Sequence, residues 1–271
     1  MARRQGSAHR FALPLALLLL LSPLAGCLKP PPVTPSSRRA LLLAPTLLPL
    51  LPSSSPASSL ASSPAAPYDK YARTYDALAE DSGATNALNI DEARKLLLSR
   101  ATGDVLELAG GTGINVPLYP PSVKSLTLVD LSPGMLDVAA SKIAASPPPF
   151  PARLLPCDVS DMSALFPAAG SFDTVACTFS LCVLSPTGAR AALGEARRLL
   201  RKGGRLLLLE NAWAGGGVGA YQDAVAGAAA RFGGKGCVMN RRVGEDLRQA
   251  GWDVQEEGEV AGGIFRWFVA S

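Results

Sequence analysis

The chain has 271 residues and a formal net charge of +4, room for one domain or two. Six basic residues (Arg3, Arg4, Arg10, Lys29, Arg38 and Arg39) precede the first acid, Asp69, so the other 203 residues carry about −2. The basicity belongs to the leader, and the folded part lacks the basic face that nucleic-acid binding requires.

Residues 11–26, FALPLALLLLLSPLAG, follow a basic start and have the layout of a secretory signal, with Ala25-Gly26-Cys27 as a cleavage region. The run is short for a membrane span and is broken by Pro14 and Pro23. A Ser-, Pro- and Ala-rich stretch without an acid follows, which cannot build a core. Within it, Ser37-Arg38-Arg39-Ala40-Leu41-Leu42 resembles a twin-arginine signal. Residues 1–67 are therefore expected to be a targeting leader and linker. The layout resembles bipartite plastid leaders, some of them thylakoid-directed; mitochondrial and endoplasmic-reticulum destinations stay open, as does membrane association through the leader.

From Tyr68 onward the texture is that of a folded domain, 68–271. YDKYARTYDALAED and DEARKLLLSR have helical spacing. DVLELA (104–109) is the first expected strand, and a helix is expected over 112–118. SLTLVD (125–130) is the second strand. Ser132 and Pro133 open a helix over 132–146 as N-cap and first residue. Strands three and four are ARLLPCD (152–158) and FDTVACTFSL (172–181). A helix over 187–204 with a glycine stop precedes strand five, RLLLLEN (205–211). GEDLRQAG (244–251) is helical, and WDVQEEGEV (252–260) and IFRWFVA (264–270) close the series. The interior runs are continuously apolar, as strands covered on both faces should be. The alternation predicts an α/β fold with a doubly wound, seven-stranded, mostly parallel sheet. Residues 212–236, rich in glycine and alanine, read as a pliant lid.

The five cysteines form no CxxC pair, and the lone histidine, His9, sits in the leader, so a zinc site has no support. Cys157, Cys177 and Cys182 lie in or beside apolar runs and read as buried thiols.

The chemistry centres on VLELAGGTGINV, 105–116, a strand running into a glycine turn. Such a unit places backbone N–H groups at the carboxyl edge of the sheet. A dinucleotide fingerprint needs a third glycine where Val116 stands. S-adenosylmethionine, which has no phosphate, needs only close backbone approach and acids at the strand ends. Glu107 precedes the turn, Asp130 ends strand two, and Asp158 ends strand three with Val159 beside it.

At these residues the sequence resembles the class I S-adenosylmethionine-dependent methyltransferases. The family's E/DxGxGxG motif reads Glu107-x-Ala109-x-Gly111-x-Gly113 here, with alanine replacing the first glycine. Asp130-Leu131-Ser132-Pro133-Gly134-Met135 resembles the second segment, and Cys157-Asp158-Val159 the third. The resemblance assigns Glu107, Ala109, Gly110, Gly111, Gly113, Asp130, Leu131, Met135, Asp158, Val159 and Phe179 to the donor site, with Asp130 at the ribose hydroxyls and Asp158 and Val159 at the adenine. YDKYARTYDAL, FDTVACTFSLCVL and GCVMNRR resemble a narrower group of quinone C-methyltransferases and alkyl-thiol methyltransferases, which implies a small, lipophilic thiol or quinol acceptor.

Each residue also has a structural reading. Glu107 caps a helix, Asp130 is a helix N-terminal acid, Asp158 a loop acid, and Phe179, Tyr71 and Tyr75 packing residues. Asn240-Arg241 either caps a helix or lines the acceptor pocket. No catalytic residue and no metal ligand is assigned, and oligomeric state is not readable. The rival functions are an NAD(P)-dependent oxidoreductase and a non-catalytic assembly factor.

Overall fold

A computed structural model describes residues 66–80, 88–232 and 237–271. The expected signal and twin-arginine segments and the linker up to residue 65 lie outside the described residues, whereas Ala66 and Pro67, expected in the linker, open the first helix. Among the described residues no helix is long and apolar enough to cross a membrane.

The helices are α1 (Ala66–Tyr71), α2 (Tyr75–Glu80), α3 (Ile90–Leu98), α4 (Pro133–Ala145), α5 (Pro186–Leu199), α6 (Gly216–Phe232) and α7 (Val243–Gln249). The strands are β1 (Gly103–Leu108), β2 (Val123–Asp130), β3 (Ala152–Pro156), β4 (Phe172–Thr178), β5 (Leu200–Asn211), β6 (Val254–Val260) and β7 (Phe265–Ala270). They form one seven-stranded sheet in the order β3-β2-β1-β4-β5-β7-β6. β7 is antiparallel to both its neighbours, and the remaining ladders are parallel. The chain winds outward from β1 to β3, then crosses back to β4 beside β1. Strand order reverses between β1 and β4, so their carboxyl ends diverge and leave the crevice in which ligands of such sheets bind.

The continuous apolar runs have a simple cause. Successive strand side chains point to opposite faces. In β5, Leu206 and Leu208 pack with Ala192, Leu193 and Ala196 of α5, whereas Leu207 and Leu209 pack on the other face with Leu97 and Leu98 of α3. Both faces are covered by helices, so neither set of positions can be polar.

Four local expectations change. The helix expected over 112–118 is a series of turns ending in a 3-10 turn at Val116–Leu118. Gly111 and Gly113 both have positive φ, and Pro117, Pro120 and Pro121 cannot donate to a helical ladder. The helix over 187–204 ends earlier, at Leu199, and the chain passes directly into β5. Leu200 pairs with Phe172 and Arg205 with Thr174, so Arg201–Gly204 is a bulge with Gly203 at φ 82, not a helix stop. The first helix is two short ones joined by a 3-10 turn, Ala72–Thr74. The expected pliant lid contains a helix, α6.

Gln222 anchors α6. Its Oε1 accepts from Ala214 N at 2.8 Å, and its Nε2 donates to Ala212 O at 2.9 Å and Met239 O at 2.7 Å.

Candidate active site

The turn after β1 is held by backbone bonds. Gly110 N donates to Val129 O at 3.1 Å, extending the β1–β2 ladder, and Gly113 N donates to Gly110 O at 3.0 Å. A Cβ on Gly111 would meet nothing within 4 Å, so this face of the turn is open for a ligand to approach the backbone. Ala109 adopts φ 46, a left-handed conformation that costs an alanine about 1–2 kcal/mol. That is the position where the methyltransferase motif usually has glycine.

Asp130 locks the turn to the start of α4. Its Oδ2 accepts from Gly111 N at 2.9 Å and its Oδ1 from Ser132 N at 2.8 Å. Burial raises its pKa, and the two backbone donors oppose that shift. Each oxygen keeps a second lone pair, so the carboxylate can still accept two hydroxyls. Ser132 caps α4 as expected, accepting from Met135 N at 3.2 Å.

The N-terminal helices strap this corner. Asp69 Oδ1 accepts from Ser132 Oγ at 2.6 Å and Gly134 N at 3.0 Å. Asp76 accepts from Thr112 Oγ1 at 2.6 Å and pairs with Lys142 Nζ at 2.7 Å. These bonds bring Tyr68 and Tyr75 to the cavity wall. Burial pushes the Tyr75 hydroxyl up to about 12 and raises that of Tyr68 further, so both stay protonated.

Behind the turn, Glu107 is 1% exposed. It accepts from Asn115 Nδ2 at 2.8 Å and Tyr119 OH at 3.0 Å, and burial pushes its pKa up to about 7. Asn115 Nδ2 also donates to Thr178 Oγ1 at 2.9 Å, which ties the turn to β4. Arg94, from α3, lies close enough to lower the Glu107 carboxyl. Its Nη1 holds Asp91 at 3.0 Å, and its guanidinium sits 5.3 Å from the Phe179 ring centroid. Two buried atoms of this corner have no partner among the described residues: Arg94 Nε, a donor, and Asn115 Oδ1, an acceptor.

These elements enclose a cavity of about 550 Å3 at the β1/β4 switch point. That is within the usual range for a small-molecule site. Of the residues expected at the donor, Ala109, Gly110, Gly111, Asp130, Leu131, Met135, Asp158, Val159 and Phe179 line it. Glu107 and Gly113 do not: Glu107 supports the turn from behind through Asn115 and Tyr119, and Gly113 backs onto Ala139 and Val116. Phe179, at φ 56, turns out of β4 into the cavity wall. Asp158 Oδ1 accepts from Ser160 N at 2.8 Å and Ser160 Oγ at 2.6 Å, which fixes the loop after β3. Asn240 and Arg241 do not line the cavity: Asn240 bonds Asp223, and Arg241 donates to Leu184 O at 2.7 Å.

Sequence reading passed over Arg94 and Asn115. A signal for Arg94 was present, because it shares a helical face with Ile90, Leu97 and Leu98, where a cation is out of place. Asn115 carried none. The missing helix after the turn also bears on a dinucleotide, whose pyrophosphate would meet a helix N-terminus that this turn does not provide.

S-adenosylmethionine fits these groups. Asp130 would accept from its ribose hydroxyls, and Asp158 and Val159 would flank its adenine. The orphaned Arg94 Nε and Asn115 Oδ1 match a carboxylate and an ammonium.

The methyltransferase-domain family model matches residues 105–204. The chain is 35% identical over 157 residues to thiol S-methyltransferase TMT1B of Homo sapiens, covering 56% of this chain and 62% of that protein. It is 36% identical over 108 residues to thiol S-methyltransferase TMT1B of Rattus norvegicus, covering 40% and 42%. The chain thus spans about three fifths of the human relative's length. Among solved structures, the fold is similar to an O-methyltransferase family protein from Burkholderia thailandensis (TM-score 0.57, 19% identity, 75% of this chain and 61% of that one). It is also similar to a SAM-dependent methyltransferase from Leishmania major (TM-score 0.57, 11% identity, 77% and 81%). The [4+2]-cyclase SpnF shares the fold too (TM-score 0.53, 16% identity, 66% and 79%), so fold alone does not dictate the reaction. The ordered motifs, the sheet order and the methyltransferase-domain match over 105–204 make the chain similar to the class I S-adenosylmethionine-dependent methyltransferases.

Proposed function

We propose that the protein methylates the sulfur of a small, lipophilic thiol. The observation that carries the donor half is the orphan atoms Arg94 Nε and Asn115 Oδ1, on two residues that line the cavity. The thiol S-methyltransferase relatives support the acceptor half, as does the apolar wall that includes Val183, Leu184, Val218 and Ile264.

The bound donor supplies an electrophilic methyl group on a sulfonium. The chain's residues orient the reactants and exclude water, the main requirement of an in-line displacement. No histidine follows His9, so a histidine base is absent from the domain. A thiol suits this site because its ordinary pKa of about 8.5 leaves some thiolate at neutral pH. The protonated Tyr68 and Tyr75 and the Arg94 guanidinium favour an anionic sulfur nearby.

The test is methyl transfer by the full chain from labelled S-adenosylmethionine to a panel of alkyl thiols and quinols, with Asp130→Ala beside wild type. Methylated thiol from wild type only is the expected result. Quinol methylation would move the acceptor class. Donor binding without transfer to either class would favour a non-catalytic role.

We further propose that residues 1–67 deliver the domain to a plastid, on the strength of the acid-free Ser-, Pro- and Ala-rich leader. A fluorescent fusion of the leader that enters mitochondria or stays in the endoplasmic reticulum would overturn this.

A further inference from the structure

We propose that Cys182 and Cys237 form a reversible dithiol–disulfide site on the wall of the acceptor cavity, oxidised by small organic disulfides. Their Sγ atoms lie 3.3 Å apart. The backbones are already pinned to each other, because Val238 N donates to Cys182 O at 2.8 Å. The other described cysteines contact oxygen instead: Cys157 Sγ faces Asp158 O, and Cys177 Sγ faces Ser180 Oγ.

The two thiols differ in access. Cys237 lines the cavity and is half-buried, whereas Cys182 is fully buried and is not part of the lining. A disulfide that enters the cavity meets Cys237 first. The Cys237 thiolate attacks one sulfur of the reagent, forming a mixed disulfide and releasing one thiol. The hydrogen bond to Cys237 and burial hold the Cys182 thiol above its ordinary range, and Asn211 Nδ2 opposes that shift from 3.7 Å. Cys182 is thus the resolving group: its sulfur attacks Cys237 Sγ and releases the second thiol. Overall two cysteine thiols are oxidised, one disulfide is reduced to two thiols, and the two protons pass to those products.

The sulfurs must close to about 2.05 Å to bond. That draws the segment holding Cys237 and Met239, itself tied to α6 through Gln222, onto the turn after β4. The cavity wall is then cross-linked beside the acceptor, while Asp130 and the glycine turn are untouched. The identity of the oxidant rests on the thiol-acceptor reading above, since the disulfide of a fitting thiol presents the same groups to the cavity. The sulfur pair itself does not rest on it.

The experiment treats the reduced full chain with bis(2-hydroxyethyl) disulfide and maps the cysteine peptides by mass spectrometry. Wild type should yield a Cys182–Cys237 cross-link that dithiothreitol reverses. Cys182→Ser should stop at a mixed disulfide on Cys237, and Cys237→Ser should leave Cys182 unmodified. Absence of the cross-link in wild type that still binds S-adenosylmethionine overturns the proposal, as does a mixed disulfide persisting on wild-type Cys237. In the oxidised protein, thiol methylation should fall about tenfold or more and donor Kd should hold within about twofold. If the reduced protein methylates no thiol but still cross-links, the function reading fails and the dithiol site stands.

Discussion

Gly111 N and Asp130 Oδ2 are 2.9 Å apart, and through that bond the acid at the end of β2 sets the shape of the turn at the end of β1. Asp130 holds the turn, and we propose that it also receives the donor's ribose. Asp130→Ala removes both. Each charge-assisted bond contributes about 1.5–3 kcal/mol, so donor Kd should rise roughly 10- to 100-fold by calorimetry. An unchanged Kd would remove Asp130 from the donor site.

Gly110 lines the cavity with its backbone, but a side chain there would point into the core. A Cβ there would come 2.5 Å from Leu128 Cγ, a side chain with no exposure. Gly110→Ala should destabilise the protein by about 1–3 kcal/mol in chemical denaturation, the usual cost of overpacking. A variant as stable as wild type would show that β2 yields more easily than this packing implies.

Arg94 is a buried cation with an unpartnered Nε. Arg94→Met keeps the stem and removes the charge. Donor Kd should rise about tenfold or more, whereas stability should change by no more than about 1 kcal/mol, because the lost cation–π contact is offset by relief of a desolvated charge. A large fall in melting temperature with donor affinity intact would make Arg94 structural.

Glu210 fixes the loop after β4, its Oε1 accepting from Ser180 N at 2.5 Å and Leu181 N at 2.6 Å. Burial pushes both Glu210 and Glu107 up to about 7 from the ordinary 4.5. The folded state then holds more protons than the unfolded chain between about pH 4.5 and 7. Their contribution is full below about pH 4.5, is lost as pH rises through 7, and is level above. Asp104 and Glu195, held below the ordinary range by hydrogen bonds, act in the opposite sense as pH falls. Glu210→Gln, which mimics the protonated acid, should match wild type near pH 5 and melt higher at pH 8. Identical melting curves across that interval would show that Glu210 does not titrate there.

The sequence by itself determined the elements whose signal is local. Apolar runs of strand length, Ser132-Pro133 opening α4, and acids closing β2 and β3 each follow from residue type and spacing, and most of the site residues named from the sequence line the cavity. Tertiary structure decided what depends on partners distant in the chain. Glu107 reads as a ligand acid until Asn115 and Tyr119 close over it and place it behind the turn. The glycine run at 203–204 reads as a helix stop until pairing with β4 turns it into a bulge in β5. Arg94, Asn115 and the Cys182–Cys237 pair acquire their chemistry from neighbours that only the closed sheet supplies. A side chain's burial and hydrogen-bond partners, unlike its periodicity, are properties of the packed whole.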